Sequence, residues 1–429
     1  MKIKVAEKKY EDVIKMRKRK VRIKRPNLFF RTLLKMVSEP ELKATKFTYN
    51  MIDMDLLGEK EPCLIFMNHS SFTDLQIVEG ALYPRPINIV CTYDGFVGKN
   101  WLMRNLGCVP TSKFVFDLGL VRSIKKCLTK FKSSVLMYPE AGYTFDGTTT
   151  TLPSDLGKFV KLMGVPLVMI TTHGAFARQP LYNDLLKRNV NVSADIEYAL
   201  SPQQISTMSA EQIQDVIEQY FSFDNFLEQR ESGTCIDEPY RAQGLNRVIY
   251  KCRHCGQEGN MLGEGTVLKC KDCGFEYELL GNGVLFSKKT KEFVHIPDWY
   301  KWQREQVKKE LLDGTYSMCE DVDIYMLVNT KKLYKVGCGT LKHSKDGFEL
   351  CGCDGKLNYH QKPLASYTLN SDFFWYEIGD VISIGNQDAL YYCFPKTKSD
   401  VVTKARLATE ELYKLTDKHR VAKKELETV

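Results

Sequence analysis

Short apolar runs alternate with helix-like segments through much of the first half of the chain. Apolar residues recur at helical spacing between these runs, and each run has the length of a buried strand. Such alternation predicts an α/β domain with a mixed, largely parallel sheet, which we assign to residues 46–235. In sheets of this kind the active groups lie on loops beyond the strand ends. The strand-like runs are 64–67, 87–92, 135–138 and 166–170.

The pattern changes after about residue 320, where strand-like segments follow one another without helices between them. A helical segment at 399–415 ends the series. Several strands followed by one helix resemble a pleckstrin-homology or GRAM-like barrel, so residues 321–429 are predicted to form a β-rich domain. Residues 296–320, which contain Trp299 and Trp302, are predicted to form a connecting helix before it.

Positive charge is concentrated at the N-terminus. The net charge is +8, but residues 1–35 hold 14 Lys or Arg against three acidic residues, which gives this stretch +11 by itself. A basic arm binds nucleic acid or an anionic membrane. Because an apolar, aromatic-bearing stretch follows at 28–37, an interfacial helix is favoured, and nucleic acid is not an expected partner.

We therefore predict that residues 1–45 form a basic, amphipathic, helical segment, and that residues 1–37 attach the protein to anionic lipid. The alternative is a solvated helix packed on its own domain. No apolar run reaches the roughly 20 residues that a membrane span needs, and the charged start lacks the apolar stretch of a signal peptide. The expected location is the cytoplasm, peripheral to the cytoplasmic face of a membrane.

Two Cys-x-x-Cys-Gly motifs predict a metal site in residues 245–295. Fourteen residues separate Cys255 from Cys270, and this spacing suits tetrahedral Zn²⁺ held by Cys252, Cys255, Cys270 and Cys273. Four thiolates leave no open coordination position, so the zinc ribbon is predicted to be structural. An iron–sulfur centre is the alternative. We expect metal removal to loosen residues 250–285 and to spare the domain at 46–235.

His69 and Asp74 are the predicted catalytic pair. They stand five residues apart at the turn between the first apolar strand and the following helix. Neutral imidazole is suited to removing the proton of a hydroxyl near pH 7, and a carboxylate on its other nitrogen would fix the tautomer. The alternative is a helix-capping box, because Ser71 and Asp74 have the Ser-x-x-acid spacing.

Three ordered blocks resemble the lysophosphatidic acid (1-acylglycerol-3-phosphate) acyltransferase family over about residues 45–200. They are Asn-His-Ser-Ser-Phe-Thr-Asp at 68–74, Tyr-Pro-Glu-Ala-Gly-Tyr-Thr at 138–144, and Gly-Val-Pro-Leu-Val at 164–168. The resemblance implies that His69 and Asp74 are catalytic and that Glu140 and Gly142 bind the acceptor.

One departure from the family pattern concerns phosphate binding. The arginine expected after the Pro-Glu-Gly turn is replaced near Tyr143 or Thr144. A further block of the family usually ends in an arginine, but the corresponding residues 107–113 end here in Lys113. Lysine binds phosphate as a point charge and not as a bidentate fork. Lys113 is therefore the predicted substrate-binding cation, and Lys99, Arg104 and Lys158 are candidates to compensate for the missing arginine.

The predicted activity is transfer of a fatty acyl group from acyl-CoA or acyl carrier protein to the hydroxyl of a lysophospholipid or related glycerolipid. No metal is expected to take part in this chemistry. The alternative is a non-catalytic protein with a degenerate acyltransferase domain, which binds a membrane or nucleic acid. The missing arginine favours that alternative, whereas the intact His69 and Asp74 oppose it.

Overall fold

The computed structural model describes residues 2–16, 21–112, 118–386, 388–397 and 400–427, with side chains up to residue 417. Within these ranges no helix is both long and apolar enough to cross a bilayer.

The N-terminal segment differs from the predicted helical lead-in. It begins with a strand, and this strand pairs in parallel with a strand of the C-terminal domain, where Val5 lies opposite Leu333. The first residues therefore join a sheet whose neighbouring strand lies more than 300 residues later in the sequence. No local pattern could reveal this pairing. The elements are β1 (Val5–Glu7), α1 (Tyr10–Ile14) and α2 (Leu28–Ala44).

A seven-stranded sheet with the order β2-β8-β7-β3-β6-β4-β5 forms the next region. Its strands are β2 (Thr48–Ile52), β3 (Leu64–Met67), β4 (Ile87–Thr92), β5 (Cys108–Thr111), β6 (Ser134–Met137), β7 (Leu167–His173) and β8 (Ser193–Leu200). The helices are α3 (Asp74–Leu82), α4 (Asn100–Asn105), α5 (Leu118–Lys126), α6 (Leu156–Met163), α7 (Ala175–Arg178), α8 (Pro202–Thr207), α9 (Ala210–Tyr220) and α10 (Asn225–Glu231).

Only the β7–β8 pair of this sheet is antiparallel among the described strands, so the predicted mixed, largely parallel sheet is confirmed. Strand β3 lies at its centre and is buried throughout. Side chains alternate between its two faces. Ile65 and Met67 enter one apolar cluster and Leu64 and Phe66 another. Both faces of β3 are therefore covered, and the first polar residue after it is Asn68, just beyond its carboxyl end.

An antiparallel ribbon with the order β13-β12-β11-β10-β9 follows. Its strands are β9 (Met261–Glu264), β10 (Val267–Cys270), β11 (Glu276–Leu279), β12 (Leu285–Ser287) and β13 (Glu292–Val294), and the connecting helix after it is α11 (Ile296–Leu312).

The C-terminal domain is the predicted β-rich unit, with the antiparallel strand order β17-β16-β15-β14-β20-β19-β18 and β1 added beside β15. Its last helix extends well beyond the predicted end at residue 415. The elements are β14 (Met318–Leu327), β15 (Leu333–Ser344), β16 (Gly347–Gly352), β17 (Leu357–Gln361), β18 (Asn370–Trp375), β19 (Gly379–Gly385), β20 (Leu390–Pro395) and α12 (Val401–Glu427).

One apolar cluster joins the three regions. It contains Phe145 and Phe226 of the α/β region, Phe275 of the ribbon, and Ile382 and Leu407 of the C-terminal domain. The ribbon is therefore packed into a common core, and the α/β region is not independent of it.

Candidate active site

The turn from β3 into α3 brings the two predicted catalytic residues together. His69 Nδ1 lies 2.9 Å from Asp74 Oδ2. The same carboxylate oxygen accepts hydrogen bonds from the backbone N–H groups of Ser70, at 2.9 Å, and Ser71, at 3.1 Å. Asp74 is buried, and these donors hold its carboxylate against the imidazole. The catalytic role of the pair stays a prediction.

The alternative capping box is incomplete. Helix α3 begins at Asp74 with Thr73 as its N-cap residue. The Ser71 hydroxyl accepts from the Thr73 amide, at 3.2 Å, and not from the amide of Asp74. A capping box needs the hydroxyl of its first residue to accept from the amide three positions on, which here would be the amide of Asp74. The Asp74 carboxylate therefore holds the turn and the His69 ring and does not cap the helix.

Two tyrosine rings enclose the imidazole of His69. The Tyr138 ring is stacked at 4.1 Å between centroids, and the Tyr143 ring lies at 4.3 Å. The His69 side chain keeps 21% of its surface exposed. No described residue forms a hydrogen bond with His69 Nε2. This nitrogen can therefore accept a proton from a hydroxyl group. Both tyrosines stand in the sequence block at 138–144, but the sequence gave no sign of the stacking.

Residues 138–148, which we call the Pro-Glu loop, fix the backbone around His69. The Glu140 carboxylate accepts from the His69 amide at 2.8 Å and from the Thr150 amide at 2.9 Å. The Thr144 amide donates to the His69 carbonyl at 3.2 Å. Burial raises the pKa of Glu140 to about 7, against the lowering effect of these amides.

Glu140 is fully buried in this arrangement, and both its oxygens face backbone amides. Its position supports the turn that carries His69 and Asp74, and a contact with an acceptor stays a prediction. Gly142 is half-buried on the same loop. The residue with left-handed backbone, however, is Ala141, at φ +55°. The glycine thus stands one position after the place where its freedom would relieve strain.

The predicted cations are not gathered at His69 in the described part of the chain. Lys113 lies outside the described residues. Arg104 donates to the carbonyl of Arg22, and Lys158 forms an exposed ion pair with Asp155 at 2.8 Å. Burial lowers the pKa of Lys99.

The four predicted metal ligands converge on one point. The Sγ atoms of Cys252 and Cys273 are 3.8 Å apart, those of Cys255 and Cys270 are 3.7 Å apart, and all four lie within 4.8 Å of one another. Tetrahedral Zn²⁺ with Zn–S bonds of about 2.3 Å separates its sulfurs by about 3.8 Å. The thiolate cluster therefore fits a metal ion, whereas a disulfide needs about 2.05 Å.

The two cysteine knuckles have the same backbone. The amide of Gly256 donates to the carbonyl of Cys252, and that of Gly274 donates to the carbonyl of Cys270, both at 2.9 Å. Both glycines have positive φ, +76° and +67°, as the tight turn after each pair requires. His254 is exposed, stacks on Phe275 and does not belong to the group of four ligands.

Comparison with known proteins identifies the α/β region. Residues 48–172 match the family model described as Acyltransferase, which confirms the predicted resemblance for this part of the chain. Among solved structures, the chain is similar to the 1-acyl-sn-glycerophosphate (LPA) acyltransferase PlsC from Thermotoga maritima, at 15% identity and a TM-score of 0.37. That likeness covers 44% of this chain and 76% of PlsC. No curated protein matches the chain by sequence.

Proposed function

We propose that this protein transfers a fatty acyl group from a thioester donor, acyl-CoA or acyl carrier protein, to the hydroxyl of a lysophospholipid or related glycerolipid. The observation that carries this proposal is the 2.9 Å contact between His69 Nδ1 and Asp74 Oδ2 inside a region that matches the acyltransferase family. A hydroxyl acceptor needs a base with one free nitrogen, and His69 Nε2 is that atom.

In the proposed reaction, His69 Nε2 removes the proton of the acceptor hydroxyl while its oxygen attacks the thioester carbonyl carbon. The tetrahedral intermediate then breaks the C–S bond, and the leaving thiolate takes the proton from the imidazolium. Asp74 stabilises the imidazolium between these two transfers, as in a catalytic triad whose serine is replaced by the acceptor. No covalent acyl-enzyme forms.

The test is an acyl-transfer assay by mass spectrometry with the purified chain, both donor types and a panel of lysolipids. His69→Ala should reduce turnover by about 10²- to 10⁴-fold, the usual share of a general base. Asp74→Asn should also lose most of the rate. His360→Ala, which removes an exposed histidine of β17, is the matched control and should keep full activity. Normal turnover by His69→Ala would overturn the assignment; no transfer by the wild type would favour the non-catalytic alternative.

We also propose that the four-cysteine cluster holds one Zn²⁺ in a structural role. The sulfur separations support this ion, and four thiolates complete its tetrahedral shell. Elemental analysis of protein purified without chelators should find about one zinc per chain. Cys255→Ser should lose it, whereas Cys319→Ser, at an exposed cysteine of β14, should retain it. Iron in place of zinc, or no metal, would refute the proposal.

Finally, we propose that α2 docks the protein on anionic membranes. Several of its apolar residues are exposed to solvent, with 41% to 67% of their surface accessible. They are Leu28, Phe29, Leu33, Met36 and Val37. The exposed cations Arg22, Lys24 and Arg25 precede the helix. Apolar burial together with about 1 kcal/mol per basic residue near the surface gives salt-sensitive binding to anionic lipid.

Because β1 belongs to the C-terminal sheet, deleting residues 1–37 would disturb that domain, and point substitutions are the better test. Replacing Leu28, Phe29, Met36 and Val37 together by serine should weaken co-sedimentation with anionic vesicles. The matched control replaces four exposed leucines elsewhere, Leu162, Leu186, Leu227 and Leu312, by serine. Unchanged binding by the α2 variant, or equal wild-type binding to neutral vesicles, would refute the membrane role.

A further inference from the structure

The Pro-Glu loop lies between the catalytic turn and the C-terminal domain. On one side it contacts His69 through Glu140, the Tyr143 ring and the Thr144 amide. On the other side the Phe145 ring packs 4.3 Å from the ring of Phe373 on β18. Only the residues of the Pro-Glu loop therefore separate the C-terminal domain from the imidazole of His69. A displacement of the loop by that domain would move the groups that contact His69.

Arg406 of α12 is the charged side chain on that second side. Its Nη1 donates to the Tyr143 carbonyl at 3.4 Å, and its guanidinium carbon lies 4.3 Å from the centre of the Phe145 ring. It is also among the positive charges that act on the Glu140 carboxylate. The guanidinium group thus contacts the loop at Tyr143 and Phe145 and acts on the charge of Glu140.

The guanidinium is buried and held in place from within the C-terminal domain. Arg406 is 4% exposed, and its Nε contacts Glu410 Oε1 at 3.3 Å. Glu410 is buried as well and accepts from the Thr368 hydroxyl at 2.6 Å. Its other oxygen lies 2.7 Å from Nη1 of Arg304 on α11. Removing a partner from such a buried charge set leaves the remaining charges uncompensated.

We propose that Arg406 is a positioning residue for the catalytic turn: it fixes the Pro-Glu loop, and through Tyr143 and Glu140 it fixes His69. Its burial excludes a direct contact with an acceptor phosphate, so it does not replace the missing loop arginine as a ligand. It instead supplies that loop with a cation from a domain that lies outside the acyltransferase match. The catalytic consequence rests on the proposed function, whereas the structural consequence does not.

The test compares Arg406→Met with Lys404→Met in the full-length protein. Lys404 lies on the same helix and pairs with Glu258 and Glu310, so its loss removes a paired charge from α12 without removing a loop contact. Hydrogen exchange of the His69, Thr144 and Thr150 amides measures how stably the loop is held, and it needs no substrate. We expect Arg406→Met to speed their exchange about tenfold or more and Lys404→Met to leave it unchanged.

Turnover gives the second readout. With a verified substrate, Arg406→Met should lower kcat by about 10- to 100-fold, because small misplacement of a catalytic group is enough for such a loss, while the donor KM changes less. Arg406→Lys, which keeps the charge but reaches only one partner, should recover part of both effects.

Unchanged loop exchange in Arg406→Met, or equal effects in Lys404→Met, would overturn the proposal. An inactive wild type would refute the acyltransferase function while the exchange data still decide the role of Arg406.

Discussion

The four-cysteine ribbon and the turn that carries His69 and Asp74 are both built from short motifs, but they are held in place very differently. All four thiols come from residues 252–273, and the backbone bonds that shape each knuckle lie within it. The His69–Asp74 turn depends on distant partners. Asn68 accepts from the Thr172 amide at 2.9 Å, Thr73 donates to Gln179 at 3.0 Å, and Glu140 holds the His69 amide. A site of the first kind can be predicted from spacing alone, and one of the second kind only in part.

The largest effect should come from losing a metal ligand. The sequence suggested that metal removal would spare the acyltransferase domain, but Cys252, Phe275, Phe145 and Phe226 share one apolar cluster. Because metal binding of about 10 kcal/mol or more is coupled to folding, Cys270→Ser should destabilise both regions. Hydrogen exchange should show loss of protection at residues 176–182 as well as 250–285.

Cys235→Ser, at an exposed cysteine outside the cluster, is the control and should leave protection intact. Loss confined to residues 250–285 would restore the earlier expectation of an independent ribbon. It would also show that the common cluster does not transmit local unfolding.

A smaller effect is expected at the contact between the Pro-Glu loop and the C-terminal domain. Phe145→Ala removes a buried ring and should cost about 3–5 kcal/mol in the free energy of unfolding. Phe286→Ala, in the half-exposed ring pair with Phe293 on the ribbon, should cost much less. A double-mutant cycle of Phe145→Ala and Phe373→Ala measures their coupling, which should be about 0.5–1.5 kcal/mol. Zero coupling would mean that the two rings do not support each other.

Local pattern was sufficient for the largely parallel sheet, because β3, β4, β6 and β7 are short apolar runs that β-propensity and burial both favour. It also predicted that His69 and Asp74 share a turn. It could not predict β1, whose three residues pair with β15 in another domain. Nor could it predict Arg406, 263 residues from Tyr143, because nothing in the C-terminal helix distinguishes it from a solvated arginine.

A gain of stability is expected at Ala141, which has left-handed backbone at φ +55°. That conformation costs an L-residue roughly 1–2 kcal/mol, so Ala141→Gly should stabilise the fold by about 1 kcal/mol. Lys132→Gly relieves the same conformation, at φ +50°, before the other end of β6 and outside the Pro-Glu loop, and is the control. Denaturant unfolding measures both. A loss of stability in Ala141→Gly alone would show that the Ala141 side chain contributes packing that outweighs the strain.

The smallest effect concerns His173, another long-range contact of the acyltransferase region, at the end of β7. Its Nδ1 lies 2.7 Å from Glu228 Oε1 and its Nε2 lies 3.0 Å from Asp195 Oδ2. The hydrogen bond to Glu228, with Asp195 assisting, raises the pKa of His173 to about 9. Since the unfolded value is about 6.5, the protonated ring stabilises the fold fully below pH 6.5, and this stabilisation is lost as the pH rises through about 9.

His173→Gln should therefore lower the free energy of unfolding most at pH 6 and least at pH 9.5. The side chain is 34% exposed, so after discounting for solvent screening we expect a pH-dependent part of about 1 kcal/mol. Urea unfolding at the two pH values, with His360→Gln as the exposed control, measures it. If His173→Gln lowered the free energy of unfolding by the same amount at both pH values, His173 would contribute through packing alone. The two carboxylates would then hold a neutral ring.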